Sequence, residues 1–223
     1  MMEKGLFVIG IFVLLVPSTL IDYSGSTGPT IASVYFYEGG NGTALDPRRI
    51  IDTYQLQNIS RDLDAYYALS SDIDCTVTEG WNGGKGFDPI PNFSGHLSGH
   101  GYAVKDLHIN RSEKSQIGLF GSILSGGEVE GLILDNIYTR GNYSVGSIAG
   151  INSGSISRSY VSGNVTGYRT VGGLIGKNVG GSVYESEANT RTIGNRYVGG
   201  LAGDNGGQIE YCQTDGMVVG NYL

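Results

Sequence analysis

Glu185 and Glu187 stand two residues apart in the stretch VYESEA. In an extended strand that spacing puts both carboxylates on one face, roughly 7 Å apart, which suits paired acid and base work on a glycosidic bond. Arg158 falls one repeat earlier, beside Glu185, so the three outline an outward site of polysaccharide lyase or glycosidase type. The same residues equally satisfy a ladder of surface ion pairs in which Arg191 offsets Glu187. No apolar wall flanks them to hold one carboxyl protonated, so catalysis is not expected. His96, His100 and His108 lie among Gly95, Gly99 and Gly101, which argue against the helix that would present a histidine pair to zinc, and they read as turn residues. Asp72 and Asp74 read as turn caps rather than a calcium site. Neither G-x-S-x-G nor H-E-x-x-H occurs, so no enzyme, metal or cofactor is expected.

Tyrosine is the other candidate chemistry. Tyr143, Tyr168, Tyr197 and Tyr222 stand one to three residues before the start of a glycine-rich strand, and Tyr160 and Tyr211 fall on outward positions. A tyrosine offers an apolar face to a sugar ring or protein and a hydroxyl to orient it. The expectation is a binding face for a cell-surface glycan or protein, against the plainer reading of rings covering turns.

These residues need a scaffold, and composition describes one. Of 223 residues 38 are Gly and 15 Tyr, while charged residues make up 16%. That excess of Gly, with ample Val, Ile, Ser and Thr, points to short strands joined by tight turns. A net charge of −7, with no Lys/Arg run, opposes nucleic-acid binding.

From residue 117 onward the strands repeat. IGLFG at 117, VGSIAG at 145, VGGLIG at 171 and VGGLAG at 198 recur at spacings of 28, 26 and 27, and a second column, Val129, Ile156, Val183 and Ile209, keeps the same period. A unit of about 27 residues without helical periodicity cannot bury a core alone. Stacked coil on coil it gives an all-β fold, a right-handed parallel β-helix or β-solenoid. Leu132, Ser159, Ser186 and Cys212 are expected inward, as are Leu134, Val161, Ala188 and Thr214. A further column reads Tyr138, Val165, Thr192 and Val218. Asn152, Asn178 and Asn205 each follow an opening Val by seven residues, and are expected at left-handed corners, bonded amide to amide between coils. Upstream, Asp52 and Gln55 have capping-box spacing before Leu56, Ile59 and Leu63, a short helix suited to cap the solenoid end.

The expected organisation is a signal peptide or N-terminal anchor over 1–22, a linker over 23–44, a cap with irregular first coils over 45–115, and four repeat coils over 116–223. Lys4 followed by GLFVIGIFVLLV has the anatomy of an export signal and is the only expected membrane contact. Six N-x-Ser/Thr sequons, at Asn41, Asn58, Asn92, Asn110, Asn142 and Asn164, agree with an exported glycoprotein. Cys75 and Cys212 are expected as free thiols, several coils apart. Val218 is followed by GNYL where GNRY stood before Val198, so a further coil is expected next, with more repeats of the same protein as possible partners at that edge.

The glycine-leucine-hydrophobic-glycine units, with GGNGTALDP, IIDTYQLQNI, YYALSSDIDC and GFDPIPNFSGHLSGHGYAVKDLHI before them, resemble the GLUG-motif repeats of microbial secreted and surface proteins, some of them adhesins and some peptidases described as acting on immunoglobulin A. The resemblance covers about residues 38 to 223. It implies a scaffold and a secreted or surface location, and the matching residues are structural. The chain departs from the pattern at Cys75, where an aliphatic residue is usual, and at His96 and His100. The expectation is therefore an exported structural or adhesive module, with the carbohydrate-active enzyme as alternative.

Overall fold

The computed structural model describes residues 37–221, which excludes the expected signal or anchor and Tyr222. The described residues form one compact unit, a parallel β-solenoid of about 6 turns with about 27 residues each. One coil shows the plan: Tyr143–Val145, Ala149–Asn152, Ser155–Ser157 and Tyr160–Thr166. Each strand pairs in parallel with its equivalents in the neighbouring coils, building sheets of three, four, seven and eight strands. Both repeat columns are real registers. Val129, Ile156, Val183 and Ile209 are paired rung to rung, and the column continues upstream through Leu97 and Tyr67, where no repeat is legible.

The core lies inside these sheets and changes along the axis. Tyr67, Phe87, Phe93 and Phe120 fill the early coils, with Phe93 and Phe120 rings 4.6 Å apart. Later coils hold Val161, Val165, Val171 and Ala188, and then buried Thr190 and Thr192, whose hydroxyls bond to each other at 2.9 Å. Among the expected inward residues Thr214 is exposed, because it lies in the last rung of its sheet.

The first coil swaps a strand for a helix. In α1, Thr53–Asn58, the Asp52 carboxylate accepts from the Gln55 N–H at 2.7 Å, and the Gln55 side chain accepts from the Ile51 N–H at 2.9 Å. Leu56 and Ile59 enter the core, and the Thr53 hydroxyl donates to the Asp74 carbonyl in the first strand of the eight-stranded sheet. The helix thus covers a sheet end that would otherwise present bare strand edges.

Three polar devices hold the coils in register. The Asn152 amide donates to Asn178 Oδ1 at 3.0 Å and Asn178 to Asn205 Oδ1 at 2.8 Å, an internal amide ladder. The expected left-handed conformation of these Asn residues is not found: they end strands, and the ladder needs their side chains inward. Left-handed corners fall instead on Arg158, Glu185 and Tyr211, with φ of 48°, 47° and 55°. The residue after each corner turns a small polar atom inward: Leu132 N–H donates to Ser159 Oγ, Ser159 N–H to Ser186 Oγ and Ser186 N–H to Cys212 Sγ. Cys212 therefore acts as a serine equivalent in a corner ladder.

The third device corrects a column. Val165 pairs with Thr139 and not Tyr138, because the strand Ile133–Arg140 carries one extra residue at Asn136, φ 53°. This is a β-bulge. Its exposed N–H donates to the Ser162 hydroxyl at 2.8 Å, and Gly163 faces it, where a Cβ would sit 2.2 Å from the Ile137 carbonyl oxygen.

Cys75 and Cys212 are both free thiols. Burial pushes the Cys75 thiol up to about 12, with the Thr53 hydroxyl drawing it partly back. Since the unfolded chain ionises that thiol above its ordinary value of 9.0, unfolding there releases a proton. Stability is whole below that pH and declines as pH rises toward 12. At pH 8 the native chain should show Cys212 reacting with an aromatic disulfide reagent and Cys75 reacting only after unfolding; two promptly reactive thiols would contradict the placement of Cys75. Asn178→Ala should cost about 1–3 kcal/mol by removing the partner of the buried Asn152 amide, against about half a kcal/mol or less for the exposed Asn189→Ala; equal denaturation midpoints would refute the ladder's role.

Candidate binding face

One corner of the solenoid gathers tyrosine and arginine. It is built by Tyr143–Val145, Arg169–Gly172 and Arg196–Gly199, in which Val145, Val171 and Val198 stack in register. The residue before each Val is left-handed: Ser144, Thr170 and Tyr197 have φ of 53°, 58° and 52°. This sharp corner lets Val145 and Val171 point in while Tyr143, Tyr168, Arg169 and Tyr197 stay exposed. Gly141, Gly167 and Gly194 make the approach possible, since a Cβ at any of them would meet a Val or Ile side chain of the stack at 2.7 to 2.8 Å.

Tyr143 and Tyr168 meet edge to face with ring centroids 5.8 Å apart, and the Arg169 guanidinium lies 5.0 Å from the Tyr197 ring centroid. Arg169 and Arg196 are adjacent rungs, both exposed. The three tyrosines are 41%, 45% and 59% exposed in chain order. A row of ring faces with two guanidinium groups can stack on a sugar or an aromatic side chain and donate to a carboxylate or hydroxyl. Arg169 and Arg196 were legible only as charges before a Val, since nothing in their spacing says that a cation lies over a ring.

The remaining expected tyrosines fall elsewhere. Tyr211 is 79% exposed at a different corner and meets Tyr184 edge to face at 5.3 Å. Tyr160 opens the strand after that corner and pairs with Ile133 and Glu187. Tyr184 carried no sequence signal, because its column reads Ser157, Tyr184 and Glu210. Tyr160 and Tyr211 therefore lie off this edge, and among the described residues Tyr143, Tyr168 and Tyr197 are the set brought together.

Glu185 and Glu187 are not neighbours on one strand. Glu185 is the left-handed corner residue between Ser182–Tyr184 and Glu187–Gly194, so the chain turns between the two carboxylates. Arg158 forms its ion pair with Glu130 one coil earlier, and that hydrogen bond and charge raise the guanidinium above its ordinary value. Glu185 lies against the Tyr184 hydroxyl, whose pKa it raises through a hydrogen bond and its charge. Glu187 accepts from the Gln213 amide at 2.7 Å, and no ion pair joins it to Arg191 among the described residues.

The histidines are dispersed. His96 faces Glu128 at 3.0 Å and stacks on Tyr66, His108 stacks on Tyr138 at 4.8 Å, and His100 is a left-handed turn residue. No cluster of three metal-ligating side chains occurs among the described residues. Asp72 pairs with Lys105 at 2.7 Å, and Asp74 accepts from the Thr76 N–H and hydroxyl, each carboxyl being lowered by those bonds. Of the sequon residues, Asn41, Asn92 and Asn164 are exposed and Asn110 and Asn142 half-buried, whereas Asn58 is buried in α1, out of a glycan's reach in the folded chain.

The fold and this corner define a parallel β-solenoid repeat protein with an outward aromatic edge. Halomucin of Haloquadratum walsbyi is 37% identical to the chain over 166 residues, covering 69% of this chain. A protein of Evansella cellulosilytica, provisionally named a Gly-rich membrane protein, is 32% identical over 193 residues, also covering 69%. The chain spans only 2% and 22% of those two relatives' lengths. A crystal structure from Bacteroides ovatus, provisionally named an immunoglobulin A1 protease, aligns with TM-score 0.59 at 17% identity over 84% of this chain and 81% of that one, a likeness of fold. No protein-family model matches.

The corner assignment of Glu185 has a direct check. Glu185→Gly should hold or raise the melting temperature, and Glu185→Val should cost about 1–3 kcal/mol, because a β-branched residue resists the left-handed region. In a strand the order would be the reverse, so a more stable Val variant would refute the corner.

Proposed function

We propose that this chain is a repeat module of an exported cell-surface protein, a structural or adhesive spacer that contacts glycans or proteins through the Tyr143, Tyr168, Arg169 and Tyr197 edge. The observation that carries it is that edge: ordered rings and an attached guanidinium at successive corners of a stiff stack. The names of the two relatives, halomucin and a Gly-rich membrane protein, favour a surface location. The resemblance to GLUG-motif repeats supports the same reading. A net charge of −7 disfavours nucleic acid as the partner.

The lyase or glycosidase reading draws less support, because the chain turns a corner between Glu185 and Glu187 and each carboxylate already has its own partner. A solenoid needs no cofactor to offer a binding face, and none is proposed.

The test is a glycan array probed with the wild-type chain and with a Tyr143→Ser, Tyr168→Ser, Tyr197→Ser triple variant, alongside an assay for released reducing or unsaturated sugar ends. Saturable binding should fall about tenfold or more in the triple variant, with the far-ultraviolet spectrum unchanged and no sugar ends released. Undiminished binding by a folded triple variant would sink the edge as the contact face. Release of sugar ends would sink the non-enzymatic reading.

A further inference from the structure

The chain has one tryptophan, Trp81, and it lines a groove of about 610 Å³ at the cap, far from the repeat corner in sequence. That volume lies in the range of small-ligand sites. The groove exists because α1 replaces a strand in the first coil, leaving its outer side opposite the segment 81–91. Tyr54 on α1 is 43% exposed, with its ring centroid 5.1 Å from that of Trp81. Buried Phe87 stacks on Trp81 at an interplanar angle of 15°, and the Trp81 carbonyl accepts from both Gly84 and Gly86. The two rings are thus a platform braced by the core.

The polar lining divides into groups that are spent and groups that are not. The Gln57 amide clamps the Asp88 backbone, donating to its carbonyl and accepting from its N–H, both at 2.9 Å. Arg111, 7% exposed, pairs with the Asp88 carboxylate at 2.6 Å and donates to the Gly86 and Phe87 carbonyls. The acid of the lining is therefore already neutralised. Arg61, exposed at the end of the short helical turn after α1, enters no ion pair among the described residues. The Asn82 amide nitrogen is spent on the Gly86 carbonyl and the Asp88 carboxylate. In a chain of net charge −7, this groove therefore carries an uncompensated cation beside two rings.

We infer that this groove binds an acidic sugar, a uronate residue of a polysaccharide. The apolar face of the pyranose packs on Tyr54 and Trp81, one of its hydroxyls donates to the Asn82 Oδ1, and Arg61 pairs with its carboxylate. A neutral sugar satisfies the rings and leaves the guanidinium unused. An acidic peptide satisfies the guanidinium and leaves the rings without a pyranose face to pack on.

Because Trp81 is the sole tryptophan, its emission reports this groove alone. The full chain is titrated with a galacturonate trimer, a galactose trimer and a glutamate tripeptide. The galacturonate trimer should shift the emission saturably, with affinity about tenfold above the galactose trimer, and lose that advantage with added salt. Arg61→Gln, at an exposed unpaired position, should keep the fold and the response to galactose while erasing the preference for galacturonate. The Tyr143, Tyr168, Tyr197 triple variant should respond as wild type, which separates this groove from the repeat edge. An emission indifferent to both sugars, an unchanged preference in folded Arg61→Gln, or a tripeptide that matches the uronate would each overturn the inference.

Discussion

Parallel hydrogen bonding between successive coils is the constraint on which the rest of this molecule depends. Its strands are short, two to eight residues, and a strand of three residues is stable only when equivalents lie about 4.8 Å away on either side. Every coil must therefore trace the same outline. That demand explains why Gly173 faces the Gly200 carbonyl at a distance no side chain would tolerate, and why Asn152, Asn178 and Asn205 recur in place. Where a coil carries one residue too many, at Asn136, the excess is absorbed locally by a bulge that Gly163 makes room for and Ser162 satisfies. The register on either side then continues undisturbed.

The same constraint decides what the surface shows. A coil can close its outline only by bending sharply, and the bends fall on left-handed residues that are not glycine, among them Arg158, Glu185, Tyr197 and Tyr211. Each costs on the order of 1–2 kcal/mol of backbone strain. The corner ladder of Ser159, Ser186 and Cys212 supplies bonds to neighbouring backbone groups that the bend would otherwise leave unpaired. A corner is also the outermost point of a coil, so its side chain and those beside it are displayed to solvent. Backbone geometry and binding chemistry thus meet at the same positions, which is how Tyr143, Tyr168 and Tyr197 come to form an edge although they occupy three different places in their repeats.

The cap follows a different rule. Among the described residues the first turn carries α1, and a helix cannot lie flush with the strand outline below it. The space left beside Tyr54 and Trp81 is bounded by Asp88, whose loop the buried Arg111 guanidinium ties to the coil beneath.

Periodicity alone determined the solenoid, its repeat length and most of its inward columns, because a column that recurs every 27 residues must stack on itself whatever else the chain does. Val129, Ile156, Val183 and Ile209 were legible for that reason, as was α1 from the spacing of Asp52, Gln55 and Leu56. The upstream coils were not legible as repeats: Tyr67 and Leu97 share the Val129 column, but insertions such as the segment 76–94 break the count. Nor could spacing say which residue takes the left-handed corner. Glu185 and Glu187 alternate correctly for a strand, and only the closing of the coil places a turn between them. The Tyr143, Tyr168 and Tyr197 edge was legible as tyrosines before each glycine-rich strand, but the separation of Tyr160 and Tyr211 from it, the cation over Tyr197 and the Trp81 groove were decided by tertiary structure, because each depends on separations set by coil stacking or by the cap, and neither distance is written in the sequence.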